Sequence, residues 1–191
     1  MRTLAPALAG IVAAIVAVPV AAFTVSTGSS RAFDGGGPVQ FIADERDVQA
    51  ASVAATVDQL VVFGANVVRN RSDEPVVLDE AELAGAVGEL GAHVVAVRAM
   101  DPADNGNDLV GAARWPFENY RALSEPIDGY VLGPRQHAAL LFIVKVERPG
   151  DWQWRTTQVE YTADGRRFRT RSGFGFMVCA PATRRCEPDL D

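Results

Sequence analysis

Apolar residues follow two unlike patterns along this chain. Residues 4–25 (LAPALAGIVAAIVAVPVAAFTV) contain no charged side chain. After residue 38 the apolar positions fall into short runs, or alternate with polar ones, separated by turn-forming residues. Short bounded runs and a period of two are the marks of strands.

The first strand candidate is 39–43. Residues 44–55 are ambiguous, Ala-rich enough for a helix but barely long enough. Residues 56–69 (TVDQLVVFGANVVR) are apolar on both faces, as a central strand should be. Turn chemistry occupies 70–75, and a strand starts over 76–78. Residues 93–99 and 138–146 read as further strands, with a polar loop over 101–108 between them. Residues 114–133, punctuated by prolines and glycines, read as irregular.

The clearest local prediction is the last hairpin. Asp164-Gly165 is a two-residue turn that matches strand twist. It sets Ala163 opposite Arg166, Tyr161 opposite Phe168 and Val159 opposite Thr170. On the other face Glu160 meets Arg169, Thr162 meets Arg167 and Gln158 meets Arg171. Val159, Tyr161, Phe168, Phe174, Phe176 and Val178 then share the inward side, and a slip of one residue would bury three arginines.

Short strands with little helix predict an all-β fold, an antiparallel two-layer sandwich of the immunoglobulin-like kind. Phe63, Leu140, Phe142, Tyr161, Phe168 and Phe176 are the central core candidates. Each contributes roughly 1.5–3 kcal/mol on burial.

The leading apolar run would be ~33 Å long as a helix, enough to cross a bilayer. Two readings stay open. An uncleaved transmembrane anchor is favoured by the length of the run; a cleaved signal is suggested by Pro19 followed by Val20-Ala21-Ala22. Either puts the remaining chain outside the cytoplasm, as cell-membrane single-pass or secreted protein. No cysteine lies near the end of the run to take a lipid. The expected division is anchor or signal over 1–25, flexible linker over 26–38, sandwich over 39–180 and a C-terminal tail over 181–191.

Charge narrows the partners. The net charge is −6, so no overall basic field draws nucleic acid. The basic residues are nearly all arginine, with Lys145 the single lysine, and Ala is abundant, a composition that suggests a GC-rich bacterial genome.

A set of segments carries a resemblance. It comprises the apolar start, the stretch NVVRNRSDEPVVL over 66–78, the Gly133-Pro134 turn before a Leu/Val-rich strand, and a final Val159-Glu160-Tyr161 to Asp164-Gly165-Arg166-Arg167-Phe168 hairpin ending in Cys179. Together they resemble actinobacterial membrane-anchored cell-envelope proteins over most of residues 39–180. The resemblance implies an extracytoplasmic immunoglobulin-like domain on a membrane tether, and it brings no active site to transfer.

Candidate chemistry is sparse. Cys179 and Cys186 are close enough in sequence to form a disulfide outside the membrane, pinning the tail. Cys-x-x-Cys redox spacing is absent. His93 and His137 start strands and converge on no zinc set. The residues Asp101, Asp104, Asn105, Asn107 and Asp108 could offer oxygen to calcium, but they also suit a solvated turn. Arg167, Arg169 and Arg171 form a stripe that is either a solvated face or a contact for anionic polymer. Trp152 and Trp154 are expected to be buried at the sandwich end. Trp115, Phe117 and Tyr120 are the aromatic candidates for a binding surface. No Gly-x-Ser-x-Gly elbow, Ser-x-x-Lys pair or phosphate-binding glycine loop occurs. The sequence therefore predicts a non-enzymatic module without cofactor or metal, acting by contact with a protein or cell-envelope component. The alternative is a secreted module binding carbohydrate or an anionic envelope polymer, and a hydrolase using a carboxylate pair stands third.

Overall fold

The computed structural model describes residues 33–42, 50–87, 91–106, 111–183 and 185–188. The apolar run at 4–25 and most of the expected linker lie outside the described residues. Among the described residues no helix is long and apolar enough to cross a membrane.

The elements in chain order are β1 (Phe33–Asp34), β2 (Val39–Phe41), β3 (Ala50–Ala54), β4 (Leu60–Asn70), β5 (Val76–Val87), β6 (Ala92–Met100), a 3-10 turn (Pro102–Asn105), β7 (Ala112–Arg114), α1 (Glu118–Leu123), β8 (Glu125–Pro126), β9 (Tyr130–Leu132), β10 (His137–Val146), β11 (Gly150–Ala163), β12 (Arg166–Ser172) and β13 (Gly175–Ala180). The fold is all-β, with two sheets rich in antiparallel pairs. In the first sheet the long β11 pairs with β5 along one edge. Along the other edge it pairs with β13 and then β12, which carry β3 and β1. In the second sheet β4 and β10 are central, flanked by β2 and β7 on one side and by β6 and β8 on the other.

The hairpin has the register expected from its turn: all seven pairs from Ala163–Arg166 to Thr157–Ser172 are formed. Two pairings depart from a wholly antiparallel sandwich. β1 runs parallel to β12, and β3 runs parallel to β13. Residues 33–34, inside the linker expected over 26–38, are thus already strand. The ambiguous 44–55 stretch is strand where it is described, over Ala50–Ala54. The central strand begins at Leu60, because Thr56 to Gln59 form a turn in which the Gln59 side chain accepts from the Thr56 amide at 2.9 Å.

The core lies between the sheets. Phe63 stacks on Phe142, Phe174 and Phe176, and Trp154 stacks on Phe176. Phe63, Leu140, Phe142, Tyr161 and Phe176 are fully buried, and Phe168 packs against them half-buried. A register shift between Leu140 and Phe142 gives β4 one extra residue near Gly64, so that Phe63 and Asn66 both face inward. The Asn66 side-chain amide donates to Thr157 Oγ1 at 2.6 Å, a buried polar link between the two sheets. A second, smaller cluster covers the outer face of β4 and β10, where Tyr120 packs with Val62, Met100 and Leu141. β10 is therefore buried on both faces, which is why its sequence is almost continuously apolar.

The chain crosses between sheets at Gly37, which lies so close to Tyr161 that an added Cβ would be 2.1 Å from the phenol oxygen. The Val39 amide just beyond donates to that oxygen at 3.3 Å.

Candidate functional site

An open concavity at one edge of the sandwich follows from how two strands end their pairing. β5 pairs with β11 on one side, but on the other it meets β9 only over Val76–Leu78. β6 pairs with β10 on one side and with β8 only at Arg98 and Ala99. Residues 125–132 therefore strap the sandwich edge, touching one sheet through β8 and the other through β9. The Ile127 amide donates to the Val97 carbonyl at 3.2 Å, and the Gly129 amide to the Leu78 carbonyl at 3.0 Å. Gly129 has φ +78°, which spares the turn the cost of a side chain in the left-handed region. Past this strap both strand edges run without a partner among the described residues, and an open groove of about 720 Å³ lies between them.

Two bulges shape its walls. Glu160 pairs with Glu80 but Tyr161 with Leu78, which leaves Asp79 as the extra residue. Ile143 pairs with Ala96 but Val144 with Val94, which leaves Val95 as the extra residue, 46% exposed. Leu83, Val94, Val97, Ile127 and Trp154 line the groove with apolar surface, while Asp79, Glu80, Glu82 and Asp128 give it four carboxylates. Among the described residues His93 is the single basic-capable side chain along it, and its Nδ1 is 3.5 Å from Glu147. Among the described residues no serine, threonine, cysteine or lysine lines the groove.

The arginine stripe lies on the outer face of the first sheet and is joined to its neighbours. Arg167 reaches Glu160 at 3.4 Å and Asp79 at 4.0 Å. Arg169 donates to a single oxygen of Glu160, Oε1, through Nε at 3.1 Å and through Nη2. Arg171 donates to Gln158 at 3.2 Å, whose own amide donates to Glu82 at 2.9 Å. Asp79 also accepts from Thr162 at 2.8 Å. The face is thus graded, acidic along β5 and basic along β12, with Glu160 between.

The aromatic candidates part company. Phe117 is 45% exposed and Trp115 half-buried, but Tyr120 is 3% exposed, its ring edge-on to Phe117 at 5.3 Å. Tyr120 leaves the candidate surface because the outer face of β4 and β10 is apolar and α1 lies over it. Trp152 and Trp154 are buried, as expected. Cys179 and Cys186 form the disulfide, and the Cys186 carbonyl accepts from Ser52 at 3.0 Å, which ties the tail to β3. Asp101 accepts from the Ala103 amide at 2.9 Å and so caps the short 3-10 turn. Asn107 and Asp108 of the calcium candidate lie outside the described residues. Among the described residues no group of three His, Cys, Asp or Glu side chains gathers as a metal site.

The groove was not singled out by sequence reasoning. Its signal was present in Leu78-Asp79-Glu80-Ala81-Glu82-Leu83, an acidic strand with an apolar inner face, and in the valine-rich but exposed stretch 93–97.

No family model matches the chain, and no curated protein sequence does. Among solved structures it is similar to the Vibrio cholerae VesB protease, at 8% identity and TM-score 0.36 over 75% of this chain and 32% of that one. It is also similar to a PapD-like domain of human CEP192, at 11% identity and TM-score 0.37 over 77% and 87%. A family 123 glycoside hydrolase from Clostridium perfringens gives 12% identity and TM-score 0.33 over 73% and 24%. The chain spans about a third of the protease's length and a quarter of the hydrolase's.

Proposed function

We propose that this protein is a non-enzymatic recognition module, an immunoglobulin-like sandwich carried outside the cytoplasm by an N-terminal membrane helix, which works by surface contact with a protein or envelope component. The observation that carries the reading is the groove: a long open cleft between two strand edges, with an apolar floor and carboxylates at its rim, and with no hydroxyl, thiol or amine nucleophile among the described residues that line it. Such a surface suits holding a partner better than covalent catalysis. The Cys179–Cys186 disulfide supports the location, since such bonds persist in oxidising compartments. The apolar run at 4–25 supports the tether.

Fusions to the C-terminus test the location. An alkaline phosphatase fusion is expected to be active and a green fluorescent fusion dark; the reverse pattern overturns the reading. The alternative, an anionic polymer held on the arginine stripe, draws less support. Glu160 and Asp79 already neutralise Arg167 and Arg169, and the groove beside them is acidic.

A further inference from the structure

We propose that the groove between β5 and β6 receives an extended, basic segment of a partner protein, which adds to a free sheet edge as a strand. The proposal rests on the recognition reading above and names the partner's chemistry.

The argument begins with backbone groups. A strand edge presents a row of unpaired N–H and C=O groups, which is a template for another strand. Here two such edges face one cleft, and the chain itself shows how they are satisfied. At the strap, β8 pairs with β6 and β9 pairs with β5. The strap's last bond to β6 is at Val97, and the cleft continues along 93–96 of β6 and 79–83 of β5. An added strand would prolong what the strap begins. About four residues, ~13 Å of extended chain, fit beside 93–96.

Side chains select the occupant. Successive residues of a strand point to opposite faces. One set would rest on Val94, Val97, Ile127 and Leu83; the other would stand at the rim, where Glu80, Glu82 and Asp128 are exposed. Asp79 is shared with Arg167 and Glu82 with Gln158, whereas Glu80 and Asp128 offer their charge to solvent. The complementary segment alternates apolar, β-branched residues with lysine or arginine. Rim charges of this kind steer association and weaken with salt.

The test uses the full-length chain in nonionic detergent and a labelled short peptide of alternating lysine and valine, read by fluorescence anisotropy. Saturable binding is expected, with protection from hydrogen exchange at 93–96 or 79–83. Replacing Glu80→Gln and Glu82→Gln together is expected to weaken it about five-fold. A peptide with proline at its centre, which keeps the charge but lacks the donor, is expected to lose binding. The proposal is overturned if the first peptide fails to bind, if a control peptide alternating glutamate with valine binds equally, or if the central proline has no effect. Those results would leave the membrane location and a contact elsewhere on the surface standing. A cytoplasmic location from the fusions would remove the recognition reading without touching the peptide result.

Discussion

Phe63 shows what a single residue does here. Its ring meets three others, Phe142 from its own sheet and Phe174 and Phe176 from across the interface. Truncation opens a void where nothing can follow. Phe63→Ala is expected to cost about 3–5 kcal/mol in urea unfolding. Tyr161 adds a pH signature. Burial pushes its phenol above the ordinary 10.0, and the hydrogen bond from Val39 pulls the other way by less. The folded chain thus favours the neutral phenol. That contribution is full below the unfolded value and is lost as pH rises through the folded one. Stability is expected to fall above about pH 10, and to fall less steeply in Tyr161→Phe. Tyr130, raised by burial and then by Asp101, Glu125 and Asp104, contributes in the same sense. The core phenylalanines were legible because each recurs at an inward parity. Tyr120 was not, since nothing in a proline-punctuated stretch told which face of the sheet it would cover.

At the scale of elements, legibility followed parity. The β11–β12 hairpin could be read to the residue because a polar face and an apolar face permit one register only. β5 was read as far as Leu78 and runs to Val87, because the bulge at Asp79 interrupts its alternation. α1 has six residues and no side-chain cap, so it left no start signal. β3 was ambiguous because its pairing with β13 is a tertiary event with no local trace. The disulfide closes a small loop behind β13, and loop entropy assigns it about 2.5 kcal/mol. Cys179→Ser with Cys186→Ser is expected to lower the unfolding free energy by up to that amount, and reductant is expected to do the same to the parent chain. The Asn66–Thr157 link holds the sheets in one mutual position. Thr157→Val is expected to cost about 1–3 kcal/mol by leaving a buried amide unpaired. A shape-matched double replacement, Asn66→Leu with Thr157→Val, should recover part of that loss in the same assay.

For the molecule as a whole, the all-β sandwich was visible in the spacing of its strands, but the groove was not. A cleft arises from where pairing stops, and each stop depends on several strands at once. The graded outer face has the same origin: Asp79, Glu80 and Glu82 lie far in sequence from Arg167 and Arg169, and β11 brings them within reach. Raising salt is expected to change the stability of the isolated fold little, since these pairs are surface ones, while weakening any basic partner in the groove markedly. Parallel thermal melts and anisotropy titrations across a salt series check both halves of that expectation.

The Gly37 crossing has a mechanical meaning. β1 belongs to one sheet and β2 to the other, so the chain between them clasps the end of the sandwich over Tyr161. Tension arriving from upstream of Phe33 loads β1 first and β2 next, before it can reach the long central strands. Both are short, so a tug is absorbed by unbuckling the clasp, and the cleft at the opposite edge keeps its shape while the fastening gives.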